Sequence, residues 1–63
     1  MPEVVVHAVS GRSPAQKKAL MQAITGCVVE HFGVAPEQVV VQIVESSADA
    51  KARGGIPYNE LSA

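Results

Sequence analysis

The run Glu3 to Val9 (EVVVHAV) sets β-branched valines at four of its seven positions, and Ser10-Gly11 closes it. This predicts a short strand with apolar groups on both faces. The period then changes. Ser13-Pro14-Ala15-Gln16 combines an N-cap serine, a proline at the first helical position and a glutamine placed to complete a capping box. Beyond it Leu20, Met21, Ile24, Cys27, Val28 and Phe32 recur at helical spacing, while Lys17, Lys18, Gln22 and Glu30 occupy other positions. The pattern is that of an amphipathic helix, with Gly33 as its C-cap. Gly26 interrupts it at a cost of about 1 kcal/mol relative to alanine, so it predicts the close approach of another backbone.

After a turn at Ala35-Pro36-Glu37, the run Val39 to Glu45 (VVVQIVE) predicts a second apolar strand. Strand, long helix, strand implies a right-handed parallel crossover. The chain then turns polar (SSADAKA) before Arg53-Gly54-Gly55-Ile56-Pro57-Tyr58, where the glycines predict a turn and a short terminal hairpin that serves as an arm across a neighbour. The fold class is α/β (α+β): one domain over residues 1–63, a βαβ unit with a short C-terminal hairpin.

Size makes such a unit a poor solitary globule. A chain of 63 residues buries only roughly 60% of its unfolded surface, and domains this small are commonly reinforced by staples or by association. Staples are missing, because Cys27 is the single cysteine and no Cys/His cluster has metal-site spacing. With 48% hydrophobic and only 17% charged residues, the expectation is an obligate homo-oligomer. Five basic residues are balanced by six acidic ones, and Phe32 and Tyr58 are the only aromatics. That leaves neither a phosphate-binding stripe nor a base-stacking platform, so no nucleic-acid partner is expected. No apolar run approaches the roughly 20 residues of a membrane span, and the start lacks a signal-peptide pattern. The expected setting is the cytoplasm, with no membrane, metal or cofactor.

The chemistry points to residue 2. Pro2 follows the initiator methionine, which cytoplasmic processing removes when the second side chain is small. The freed nitrogen is a secondary amine that accepts a proton. Its basicity near neutral pH is lowered by apolar surroundings, here Val4 and Val6, and by a nearby cation, for which Arg12 is the candidate.

Pro2, the strand carrying His7, the Gly11-Arg12-Ser13 turn with Gln16-Lys17, the amphipathic helix, the valine-rich second strand ending in Glu45 and the late Arg53-Gly54-Gly55 together resemble the 4-oxalocrotonate tautomerase family along essentially the whole chain. The resemblance implies a βαβ subunit assembled through dimers into a hexamer, with Pro2 as general base in keto-enol proton transfer on a small carboxylate-bearing substrate. It assigns the substrate carboxylate to Arg12, whose guanidinium fits that group bidentately.

Two positions depart from the family. Its second arginine falls near Val40, on a strand that here holds no arginine, and the aromatic before its Gly-Gly turn corresponds to Lys51. Arg53 or Lys51 from the tail is the candidate substitute cation for the substrate, with Tyr58 supplying a ring or hydroxyl. His7 is expected to pack in the core, His31 to complement the helix dipole, and Cys27 to pack on the apolar helix face. Glu45, Asp49 and Glu60 carry no assigned role. Two other readings compete: a catalytically weak or structural subunit, alone or mixed with a paralogue, and a hydratase or dehalogenase acting on an unsaturated acid.

Overall fold

The computed structural model describes residues 1–61. Strand β1 (Glu3–Val9) leads into helix α1 (Pro14–Phe32), a 3-10 turn at Pro36–Gln38 and strand β2 (Val40–Ser46). A second 3-10 turn at Ala48–Ala50 precedes the hairpin strands β3 (Ala52–Arg53) and β4 (Ile56–Pro57) and a short helix α2 (Tyr58–Leu61). The strand β1 and the capping signals of α1 fall where the sequence predicts them. Strand β2 is displaced by one residue, and α2 was not anticipated.

Local chemistry explains the helix boundaries. The Ser13 hydroxyl accepts from the Gln16 amide at 3.1 Å while the Gln16 side chain accepts from the Ser13 amide, also at 3.1 Å, completing the capping box. Pro14 has no amide to leave unsatisfied at the first turn. At the other end Gly33 adopts φ 67°, ψ 36°, and its amide reaches the Val29 carbonyl at 3.0 Å. A side chain is disfavoured in that left-handed conformation.

Strands β1 and β2 pair in parallel, with Glu3 opposite Val40 and Val9 opposite Ser46. Val4, Val6, Ala8, Val41 and Ile43 are half-buried, and Met21 of α1 shares surface hollows with Val41 and Ile43. The Lys17 ammonium meets Glu45 Oε1 at 2.9 Å, tying the start of α1 to the end of β2.

The opposite face of the sheet is bare. Val5, His7, Val40, Gln42 and Val44 are all exposed there, Val5 at 45%. Parallel sheets are ordinarily covered on both faces, and here α1 covers one. His7 is therefore not packed in a core of this chain, contrary to the sequence-based expectation. The helix shows the same shortfall: Leu20, Cys27 and Phe32 are exposed, Phe32 at 70%, so Cys27 does not pack against the sheet either. A Cβ built on Gly26 meets nothing within 4 Å, and no backbone approaches it among the described residues.

None of the described residues is fully enclosed. The radius of gyration is 14.8 Å, against about 11 Å for a compact globule of this length. Helix α1 is nearly as apolar on one side as on the other, contrary to the amphipathic pattern expected from the sequence.

Candidate active site

Pro2 stands at the edge of the sheet where both strands begin. It is half-buried, and its carbonyl accepts from the Val40 amide at 3.0 Å, which extends the parallel ladder one step past Glu3. Half-buried Val39, just before β2, and exposed Val40, its first residue, lie beside it across the pairing. Met1 is 90% exposed, so its removal uncovers no packed surface and leaves the Val40 bond in place. The chemical change is confined to one atom: an inert amide nitrogen becomes a secondary amine with a lone pair.

Arg12 lies at the opposite end of β1, exposed in the turn that Gly11 makes possible with φ 130°. The seven residues of β1 separate it from Pro2 by roughly 23 Å at ~3.3 Å per residue. Within one chain, then, Arg12 is not the cation that tunes the Pro2 amine, and the expectation is corrected by the extended geometry of the strand. Arg12 instead borders an open hollow of about 210 Å³ with Gln16, Lys17 and Leu20. Gln16 is committed to the capping box and Lys17 to Glu45, whereas Arg12 has no ion pair among the described residues.

The hairpin brings together three further candidates. Lys51 Nζ lies 5.6 Å and Arg53 Cζ 5.7 Å from the centre of the Tyr58 ring, distances at which the ring face attracts a cation. The Tyr58 amide also donates to the Lys51 carbonyl at 2.7 Å. Gly54 and Gly55 adopt φ 60° and 82° between Arg53 and Ile56, as a two-residue hairpin turn with positive φ at both central positions requires. An aromatic ring thus accompanies Lys51, contributed from across the turn by Tyr58. Because β1 and β2 run in parallel and the tail follows Ser46, this cluster shares the Arg12 end of the sheet. Pro2 is alone at the other.

Sequence reasoning missed the Lys17–Glu45 pair, whose partners are 28 positions apart; the parallel crossover offered the one available signal, since it returns the end of β2 to the start of α1. Among the described residues, no three His, Cys, Asp or Glu side chains converge as a metal-binding group. No described helix is long and apolar enough to cross a membrane.

Residues 2–57 match the family model described as tautomerase enzyme, a stretch that takes in Pro2, Arg12 and Arg53. The chain belongs to the tautomerase family.

As a tautomerase it is an isomerase, and its relatives are of similar length. A probable tautomerase of Bradyrhizobium diazoefficiens is 38% identical over 63 residues, all of this chain and 94% of that protein. The 2-hydroxymuconate tautomerase of Bacillus subtilis is 38% identical over 61 residues, 97% of this chain and 98% of that one. Among solved structures, a 4-oxalocrotonate tautomerase homologue superposes with a TM-score of 0.90 at 27% identity, covering both chains completely. A heterohexameric 4-oxalocrotonate tautomerase from Chloroflexus aurantiacus superposes at 0.87 and 30% identity, with 97% of this chain and 98% of that one covered. The βαβ frame with its terminal hairpin is the tautomerase fold.

Proposed function

We propose that this tautomerase moves a proton between oxygen and carbon in a small 2-hydroxydienoate or 2-oxo acid, with the Pro2 amine as base. The neutral amine takes the proton of the 2-hydroxyl group, the enolate electrons shift toward a distal carbon, and the prolinium returns the proton to that carbon. No atom is gained or lost, and the amine is regenerated. Arg12 binds the substrate carboxylate, and Arg53 supplies the cation that β2 lacks. Both arginines come from neighbouring copies, which makes the active assembly a homo-oligomer, with a hexamer favoured.

One observation carries this reading: Pro2 is half-buried with its carbonyl held by the Val40 amide, and Met1 before it is almost fully exposed. The name of the Bacillus subtilis relative, 2-hydroxymuconate tautomerase, is in keeping with the substrate class. The decisive experiment pairs intact mass of the protein from its native cells with an ultraviolet assay of enol ketonisation on the same sample. Loss of Met1 together with turnover supports the reading; a retained Met1 removes Pro2 as base.

A second reading has its own support. No Lys or Arg lies on β2 or beside Pro2, and one similar structure is a heterohexamer. In that reading the chain is a weakly active or structural subunit that joins a catalytic paralogue. Turnover by the homogeneous protein excludes it, whereas inactivity relieved by adding the paralogue establishes it.

A further inference from the structure

The backbone register of the hairpin gathers one aromatic ring and two cations. Ala52 faces Pro57 and Arg53 faces Ile56, and one step further from the turn the Tyr58 amide donates to the Lys51 carbonyl at 2.7 Å. Lys51 is itself extended, with φ −139° and ψ 135°. Residues two apart on an extended strand share a face, so Lys51 and Arg53 project to the same side. Tyr58 stands directly across from Lys51 and diagonally from Arg53, the two positions from which an aromatic ring reaches a long side chain on the facing strand. Both cations meet it there, Lys51 Nζ at 5.6 Å and Arg53 Cζ at 5.7 Å from the ring centre.

We propose that Tyr58 is a positioning residue whose ring face holds the Arg53 guanidinium ready for substrate, while its hydroxyl takes no part. The inference rests on the reading of Arg53 as the cation that β2 lacks. Of the two roles the sequence leaves open for Tyr58, ring or hydroxyl, the geometry favours the ring. Its face lies within reach of both cations, whereas its hydroxyl makes no hydrogen bond among the described residues.

Arg53 needs such an anchor. It is exposed beside the Gly54-Gly55 turn and has no acidic partner among the described residues, whose one ion pair is Lys17–Glu45. A long side chain left to wander loses rotamer freedom when it grips an anion, and one already restrained loses less. Tyr58 supplies the restraint without neutralising the charge: an aromatic face attracts a cation but leaves its N–H donors free for oxygen, whereas a carboxylate partner would occupy them. The ring is half-buried and its amide is bonded across the hairpin, so the anchor is itself held. Lys51, also half-buried, takes the seat directly opposite the ring, which leaves Arg53 as the cation of the pair open to a ligand.

The test compares Tyr58→Phe, Tyr58→Leu, Arg53→Ala and the double variant Arg53→Ala with Tyr58→Leu, each as the full chain, in ketonisation of phenylenolpyruvate. A cation–π contact at an exposed site corresponds to roughly a two- to fivefold change in binding, so Tyr58→Leu is expected to lower kcat/KM about threefold. Tyr58→Phe keeps the ring and is expected to match the wild type. With Arg53 already removed, the leucine substitution is expected to have no further effect. Proton NMR supplies a second readout: the Arg53 δ-methylene signals are expected to be shifted upfield by the ring in the wild type and in Tyr58→Phe, and to lose that shift in Tyr58→Leu. Equal losses of activity in the phenylalanine and leucine variants assign the hydroxyl to substrate and overturn the proposal. An undiminished leucine effect in the absence of Arg53 marks a structural role and also overturns it. If Arg53→Ala lowers kcat/KM and Tyr58→Leu does not, the proposal alone fails; if the wild type does not turn over, or Arg53→Ala leaves its kinetics unchanged, the reading of Arg53 fails and takes the proposal with it. Circular dichroism and sedimentation verify each variant. Tyr58→Met replaces a leucine variant that does not fold, and the collapse of both makes Tyr58 a residue of the fold, contrary to the proposal.

Discussion

Lys17 and Glu45, 28 positions apart, meet at 2.9 Å across the join between the start of α1 and the end of β2. Each side chain keeps about a third of its surface exposed (30% and 31%), so water and salt screen the pair. Replacing Lys17 with methionine is expected to cost about 0.5 kcal/mol. Denaturant titration of the variant at low salt reads this loss, which shrinks at 1 M NaCl; an unchanged midpoint at both salts means the contact contributes nothing.

Pro2→Ala keeps the carbonyl that the Val40 amide grips and turns the terminal amine from secondary to primary. Enol ketonisation is expected to fall at least a hundredfold in kcat/KM while the sedimentation profile stays that of the wild type. Full activity in the variant rules out this nitrogen as the base.

Arg12→Ala removes the cation left free in its hollow, with Lys17 held by Glu45. A charge-assisted hydrogen bond is worth about 1.5–3 kcal/mol, so KM for a carboxylate substrate is expected to rise by roughly ten- to a hundredfold, with kcat altered much less. Steady-state kinetics on phenylenolpyruvate measure the split. A fall in kcat at constant KM assigns Arg12 to the transition state instead.

Ser13→Ala breaks the hydroxyl half of the capping box: the Gln16 amide loses its acceptor, while the backbone amide of residue 13 still donates to the Gln16 side chain. The expected cost is about 1 kcal/mol of stability, read as a lower denaturation midpoint. Since Ser13 follows Arg12 directly, a rise in KM with no loss of stability indicates that the cap serves mainly to aim the guanidinium.

The features that could be read in the sequence are those whose cause lies within a few residues. Ser13, Pro14 and Gln16 announce the helix start because the cap is a local hydrogen-bond exchange, and Gly33 announces its end because few other residues tolerate its φ. His7 and Cys27 were expected to be packed and are exposed, because an apolar surrounding in sequence does not say what covers a face. The separation of Pro2 from Arg12 required only counting along an extended strand. The meeting of Lys51, Arg53 and Tyr58 required the hairpin geometry, and α2 is too short to show a helical period.

The bare valine face of the sheet makes acquiring the native structure a collective event. For the homo-oligomer proposed above, refolding speed and melting temperature are both expected to climb with protein concentration. In that proposed assembly dilution is expected to act as a denaturant does, with working stability set by how much of the chain is made.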